Sequence, residues 1–173
     1  MNPENLARAL AKHRFCSDFS PEVTEFLSGC TKNVRFKPGA FLFEEGDTAD
    51  WMYLIRDGRV SVENHFPGRG GLTLETLGSG EVLGWAVLFA PHRWHLDCRA
   101  LEATLAFAVD GKCLRTKLDQ DPAFAYAITR RLLLESHRRL ERARLQQLDV
   151  YRSELNLPAP SRATSDPSPE GSG

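Results

Sequence analysis

The sequence lacks the features that mark membrane proteins, secreted proteins and strongly basic nucleic-acid-binding proteins. No apolar run approaches the ~20 residues that a membrane-spanning helix needs. The N-terminus has no basic region followed by an apolar one, as a secretory signal would. Lysine and arginine number 22 against 23 acidic residues, a net charge of −1, so the chain as a whole has no general attraction to nucleic acid or to membranes.

Closely spaced cysteine pairs are also missing. The four cysteines, Cys16, Cys30, Cys98 and Cys113, are scattered along the chain, and none forms a Cys-x-x-Cys pair. This spacing predicts neither a zinc site nor a disulfide framework. We therefore expect a reduced protein of the cytoplasm.

The patterns that carry catalytic chemistry are absent as well. There is no nucleophile elbow, no metal-binding helix and no Gly-Lys-Ser/Thr phosphate loop. His92 and His95 are three residues apart, but two histidines without a third ligand nearby predict surface residues rather than a metal site. The sequence therefore predicts a protein that is not an enzyme, with no catalytic residues, no metal and no cofactor.

Short apolar runs separated by turn residues fill the middle of the chain. From residue 33 to residue 109 the turn signals recur at intervals of about ten residues, which is typical of an all-β roll or barrel. The Asp57-Gly58 pair predicts a hairpin between strands 51–55 and 60–64, and residues 66–71 are predicted as a loop. The other predicted strands span 34–36, 41–43, 72–77, 96–101 and 104–109.

Two short helices are predicted before the strands. Residues 4–13 carry leucines on one side of a helical pattern. The second helix has Ser20 as its N-cap, Pro21 as its first residue and Gly29 at its end. Both belong to a predicted N-terminal helical segment.

Two further helices are predicted after the strands. Asp110 can cap one that runs to residue 118, and Asp121-Pro122 opens a long one that reaches about Tyr151. The chain after it is rich in proline, serine, alanine and glycine, which predicts disorder. The predicted division is therefore 1–32 for the N-terminal helical segment, 33–120 for the β-roll, 121–151 for the long helix and 152–173 for a disordered tail.

Residues 80–100 read GEVLGWAVLFAPHRWHLDCRA. The stretch resembles the phosphate-binding cassette of the cyclic-nucleotide-binding domain superfamily, the sensor fold of the catabolite-activator and Fnr-type regulators. Three segments before or within it fit the same family in order: FKPGAFLFEEGD at 36–47, YLIRDGRVSV at 53–62 and LETLGSGEVLG at 74–84. The resemblance implies a mainly β fold with flanking helices, namely a cyclic-nucleotide-binding β-roll (jelly roll) with N-terminal helices and a long C-terminal helix.

The resemblance also implies a ligand site that has lost its two polar anchors. In the family a glutamate takes the ribose hydroxyl and an arginine takes the cyclic phosphate, but Trp85 and Trp94 stand in those places here. The turn that Gly84 begins can still point backbone N–H groups at an anion. Arg93 is the candidate cation if a loop carries it, whereas Arg99 aligns after the family's arginine. The candidate ligand-binding residues are Gly84, Trp85, Ala86, Val87, Arg93, Trp94 and His95.

Aromatic rings beside this turn leave two interpretations open. Trp85, Trp94 and Phe89 can fill the old pocket themselves, each burying up to ~200 Å². Alternatively, they line a flatter pocket for an aromatic or apolar ligand. We favour the filled pocket.

The outer half of the long helix predicts a homodimer. Its apolar seam recurs at spacings of three or four residues, a pattern consistent with a parallel pair of helices such as those of Fnr-type regulators. The residues of this predicted interface are Leu133, His137, Leu140, Arg144 and Leu148.

The family's usual DNA-reading part is not expected here, because the 22 residues from 152 to 173 are too few for it. We therefore expect a stand-alone regulatory domain with weak or lost cyclic nucleotide binding, acting through dimerisation or a partner protein. One alternative is a sensor that binds a nucleotide or another anion through residues 84–88 and Arg93. A weaker one is a transcriptional regulator that contacts DNA through the arginine-rich last helix.

Overall fold

Two antiparallel sheets form the body of the protein, and a computed structural model of the chain describes residues 3–66 and 70–155. The strands are β1 (Thr31–Phe36), β2 (Phe41–Phe43), β3 (Trp51–Asp57), β4 (Val60–Phe66), β5 (Gly70–Leu77), β6 (Val82–Leu83), β7 (Asp97–Ala100) and β8 (Thr104–Asp110). Each sheet has four strands, in the orders β1-β8-β3-β6 and β2-β7-β4-β5. This architecture confirms the predicted β-roll.

Four α-helices flank the sheets within the described ranges: α1 (Pro3–Ala11), α2 (Pro21–Gly29), α3 (Gly111–Gln120) and α4 (Pro122–Leu155). Ser20, Asp110 and Asp121 cap α2, α3 and α4 as their side chains predict. In each, a side-chain oxygen accepts a hydrogen bond from the backbone N–H three residues later, at 3.4, 2.7 and 3.0 Å. The caps satisfy N–H groups that have no partner inside the helix.

The chain divides into two compact units, residues 1–135 and residues 136–173. Both sheets and helices α1 to α3 belong to the first unit. The predicted disordered tail lies outside the described residues from position 156 onward. No described helix is long and apolar enough to span a bilayer.

Strand β3 is buried on both faces. Met52 and Leu54 belong to a core that the helices share, whereas Tyr53 and Ile55 belong to a core formed by both sheets. Because side chains alternate along a strand, two buried faces require an apolar residue at every position. The helices therefore cover one face of this sheet, and the second sheet covers the other.

The hairpin predicted at Asp57-Gly58 is wrong, although the turn exists. Strand β3 pairs with β6 and β8, whereas β4 pairs with β5 and β7, so both edges of each strand are taken. The turn therefore carries the chain from one sheet to the other. Gly58 has φ +88° there, and a Cβ on it would lie 2.6 Å from Thr104 Oγ1.

The real hairpin in this region joins β4 to β5. Their register runs from Val60↔Leu77 to Phe66↔Gly70. The predicted loop at 66–71 is therefore too long, because both strands extend into it. Residues 67–69 lie outside the described residues.

The cysteine prediction is also wrong. A disulfide joins Cys30 to Cys113, whose Cα atoms are 6.0 Å apart, within the usual range for such bonds. Pairing of β1 with β8 brings the end of α2 to the start of α3 across 83 residues of sequence. The spacing of the cysteines along the chain does not reveal that they lie close together. The cysteines thus give no argument for a reducing compartment.

The other two cysteines, Cys16 and Cys98, are free and buried. Burial raises the pKa of the Cys16 thiol to about 12 and also raises that of Cys98 well above its ordinary value. Both thiols therefore stay protonated and unreactive at neutral pH, since the thiolate is the nucleophile.

Two glycines with the same φ but different surroundings allow a test of the turn at Gly58, where the chain crosses from one sheet to the other. Gly46 also has φ +88°, but nothing lies within 4 Å of the position that its Cβ would take. Replacing Gly46 with alanine should lower the free energy of unfolding by about 1 kcal/mol, from backbone strain alone. Replacing Gly58 should cost about 2 kcal/mol more, because the new methyl overlaps Thr104. Urea denaturation measures both, and equal losses would contradict this account of the turn.

Candidate functional site

The turn predicted after β6 is present and needs a glycine. Gly84 has φ +89° and precedes a short 3-10 helix, Trp85–Leu88. Val87 N–H donates to the Gly84 carbonyl at 3.3 Å. A Cβ on Gly84 would lie 3.0 Å from both Trp51 O and Trp94 Cη2, so backbone conformation and space both favour glycine here.

Trp94 fills the space in front of Gly84. Its side chain is 6% exposed, and its ring stacks on Phe43 with centroids 3.9 Å apart and planes 13° from parallel. Its backbone N–H donates to the Asp47 carbonyl at 3.0 Å, and its carbonyl accepts from Gly46 N–H at 2.9 Å. These two backbone bonds fix the direction in which the indole points.

The stack continues into the core between the sheets. Phe43 stacks on Tyr53 with centroids 6.2 Å apart, and the Tyr53 hydroxyl donates to the Leu42 carbonyl at 3.2 Å. Burial raises the pKa of Tyr53 to about 12, so this hydroxyl remains a donor. Phe43 has no signal in the sequence that marks it as part of the site, because its role depends on pairing between distant segments.

The other two aromatic residues behave differently from Trp94. Trp85 is partly buried and packs against the core that the helices share with Met52 and Leu54 of β3. Phe89 is 64% exposed, so the expectation that its ring is buried and fills the pocket is wrong. It follows the last residue of the 3-10 helix, where the chain turns outward.

The 3-10 helix is fastened to α3. Val87 is fully buried, and its carbonyl accepts a hydrogen bond from Arg115 Nη1 at 2.5 Å. A Cβ on Gly111 would lie 2.9 Å from Val87 Cβ, so this glycine lets the two segments meet. Ala86 is partly buried beside it.

The basic side chains of the stretch have other partners. Arg93 is exposed, and its Nη1 donates to the Gly46 carbonyl at 2.6 Å. Arg99 Nη2 pairs with both carboxylate oxygens of Glu63, at 2.8 and 3.0 Å. His95 is exposed. The structure therefore brings Trp94 to Gly84, whereas it ties Arg93 and Arg99 to other groups.

The Glu63 carboxylate is a buried site that the sequence analysis missed. Burial alone would raise its pKa, but hydrogen bonds from Arg99 and Ser61 outweigh burial and hold that pKa below its ordinary value. Ser61 Oγ donates at 2.5 Å. Alternation along β4 places Ser61 and Glu63 on the face opposite Val60 and Val62, so this ion pair lies outside the core between the sheets.

Within the described ranges, no group of three histidine, cysteine or carboxylate side chains could hold a metal ion. The Glu81 carboxylate, at the start of the stretch, accepts a hydrogen bond from Gly78 N–H at 2.8 Å and thereby supports its own turn. The site as a whole is a positive-φ glycine turn that leads into a 3-10 helix, and the uncharged ring of Trp94 covers its front.

The buried position of Trp94 predicts a large loss of stability on truncation. Replacing Trp94 with alanine should lower the free energy of unfolding by about 3–5 kcal/mol, because it leaves a cavity between Gly84 and Phe43. Replacing Phe89 with alanine is the matched control, and should cost less than about 0.5 kcal/mol on the surface. Urea denaturation of both variants measures the difference, and a small effect at Trp94 would show that its ring is not part of the core.

A family model described as the cyclic nucleotide-binding domain matches residues 33–121. Among curated proteins, none matches the sequence. A cyclic nucleotide-binding domain from Methylobacillus flagellatus is 23% identical and superposes with a TM-score of 0.70, over 85% of this chain and 83% of that one.

Two more solved structures share the fold. A cyclic nucleotide-binding protein from Geobacter metallireducens is 19% identical, with a TM-score of 0.67 over 81% of this chain and 98% of that one. The N-terminal domain of a transcriptional regulator from Streptomyces coelicolor is 24% identical, with a TM-score of 0.61 over 80% and 94%. Since the family model covers more than half of the 173 residues, the chain belongs to the cyclic nucleotide-binding domain family.

Proposed function

We propose that this chain is a non-enzymatic regulatory domain in which Trp94 takes the place of the nucleotide. In this proposal, binding of cyclic AMP and cyclic GMP is weak or lost, and the domain acts through dimerisation or a partner protein. The observation that carries it is the Trp94 ring, which stacks on Phe43 and whose Cη2 lies 3.0 Å from the position that a Cβ on Gly84 would take.

The energy of moving Trp94 supports the proposal. A nucleotide could approach Gly84 only after the indole had left, and a buried tryptophan covers about 200 Å². Exposing that area costs about 5 kcal/mol at about 25 cal/mol per Å². Because about 1.4 kcal/mol corresponds to tenfold in affinity, this cost weakens binding by more than about a thousandfold.

The lack of a matching cation supports it as well. A turn of backbone N–H groups binds phosphate best together with a charged, forked donor. The residue that replaces the family's arginine is Trp94, which carries no charge. Arg93 would have to leave the Gly46 carbonyl to serve the site, and for that reason we prefer the filled site to a sensor that uses Arg93.

Calorimetric titration tests the proposal. Wild-type protein, shown to be folded by thermal unfolding, should give no binding heat with cyclic AMP or cyclic GMP at concentrations up to about 1 mM. A Kd of about 1 mM corresponds to a binding free energy of only about 4 kcal/mol. Micromolar binding of either nucleotide would overturn the proposed loss.

The dimer part of the proposal rests on exposed leucines of α4. Leu133 is 72% exposed, Leu140 48% and Leu148 57%, although leucine is a residue that proteins normally bury. With His137 and Arg144 they recur every three or four residues, as in a two-stranded coiled coil. His137 Nε2 lies 3.4 Å from Glu141 Oε1, a pair that can stay at the rim of such an interface.

A charge placed in this seam should separate the dimer. Leu140→Glu puts two carboxylates at the proposed interface, so we expect the wild type to sediment as a dimer and this variant as a monomer. Gln146→Glu is the matched control, because it adds the same charge at an exposed position off the seam and should leave the dimer intact. A wild type that sediments as a monomer would end this part of the proposal.

A further inference from the structure

We propose that the chain has a second site, in the cavity between α1 and the roll, that binds a small molecule carrying two or more phosphate groups. We call it the α1 cavity. Its volume is about 600 Å³, within the range of about 300–1,000 Å³ that small-molecule sites occupy. None of the described residues 84–99 lines it, so it is distinct from the space that Trp94 fills.

The charge of the α1 cavity is strongly one-sided. Among the residues that the structure describes, its lining includes the four cations Arg8, Lys12, Arg14 and Arg56 and no aspartate or glutamate. The chain as a whole has almost equal numbers of basic and acidic residues. Clustered like charges repel one another in the free protein, and a bound anion would remove that repulsion. The ligand class that fits is therefore anionic, with more than one charge.

Two of the four cations are held in place by the fold. Arg14 Nε donates to the Gly80 carbonyl at 3.1 Å, and its Nη2 pairs with Glu135 at 3.2 Å. Arg56 Nη1 donates to Asn33 Oδ1 at 2.5 Å, and its guanidinium carbon lies 4.5 Å from the centre of the Phe107 ring. These contacts fix the walls of the cavity before a ligand arrives, which lowers the entropy cost of binding.

The other two cations are available to a ligand. Among the side chains that the structure describes, Arg8 and Lys12 form no ion pair and no side-chain hydrogen bond. Both are exposed and line the same cavity: Arg8 is in α1, and Lys12 is the first residue after its end at Ala11. Two flexible cations that line one cavity can contact neighbouring phosphate groups of one molecule.

His13, which also lines the cavity, contributes no charge. Its Nε2 donates to the Ile55 carbonyl at 2.8 Å, and its Nδ1 accepts from Phe15 N–H at 3.1 Å. Both ring nitrogens are therefore used, and burial lowers the pKa of His13 below its ordinary value. The phosphate contacts that we propose come from Arg8 and Lys12, with Arg14 and Arg56 behind them.

Titration with inorganic pyrophosphate tests this site on the full chain. We expect measurable binding at about 0.15 M salt, where screening already removes weak surface attraction. Inorganic phosphate should bind at least about tenfold more weakly, because it carries less negative charge and fewer acceptor oxygens to share between the two available cations. Cyclic AMP, which carries one singly charged phosphate, should give no heat.

Paired substitutions locate the binding. The double variant Arg8→Gln with Lys12→Gln should weaken pyrophosphate binding by at least about tenfold, since each lost contact is a charge-assisted hydrogen bond. The control Lys112→Gln with Arg130→Gln removes the same charge from exposed positions elsewhere and should change affinity by less than about twofold.

Two results would overturn the inference: no binding of pyrophosphate to the wild type, or equal weakening in the two double variants. Thermal unfolding of both variants without ligand, expected to match the wild type, shows that the folds are intact. The outcome is independent of the filled cassette, because that proposal concerns cyclic nucleotides and Gly84, whereas this one concerns Arg8 and Lys12.

Discussion

The ring of Trp94 lies between the backbone of Gly84 and the ring of Phe43, and the form of the whole cassette depends on that contact. Gly84 has to be glycine both for its positive φ and for the space that the indole takes. The two backbone hydrogen bonds of Trp94 to Gly46 and Asp47 hold the loop so that the indole points inward. The adjacent Arg93 is exposed. The stretch therefore buries an uncharged ring and exposes a charged side chain that already donates a hydrogen bond to the Gly46 carbonyl.

The turn at Gly84 is also connected to the helices. The 3-10 helix after Gly84 is held by Arg115 through the Val87 carbonyl and by the close approach of Gly111. Movement of the 3-10 helix relative to α3 must therefore break these contacts. The sheet that contains β3 is covered by helices on one face and by the second sheet on the other, so it offers little room for the site to open without a cost in buried area.

Much of the fold follows from local sequence signals, whereas contacts between distant segments do not. Ser20, Asp110 and Asp121 predict their helix starts correctly, because a cap is decided by residues three positions apart. The Asp57-Gly58 turn is predicted as a turn but not as a crossing between sheets, since the competing partners β6 and β8 are far away in sequence. The Cys30–Cys113 disulfide is not predicted from the sequence for the same reason.

At the site, too, features within one stretch of sequence are predicted, whereas contacts between distant segments are not. The family pattern draws attention to Gly84 and Trp94, which the structure places next to each other, but the stacking partner Phe43 and the Glu63–Arg99 pair depend on strand pairing. The exposed Phe89 shows that an aromatic residue near a pocket in sequence need not lie in it. The α1 cavity had no sequence signal at all, because its cations come from α1, from the segment after it and from β3.

The position of Trp94 in solution is the most direct test of this account. A variant with Trp51 and Trp85 replaced by phenylalanine leaves Trp94 as the sole tryptophan of the three. We expect blue-shifted fluorescence that acrylamide quenches poorly and that does not change when cyclic AMP is added in excess. Red-shifted, easily quenched emission, or a shift to such emission when cyclic AMP is added, would show that Trp94 does not occupy the site.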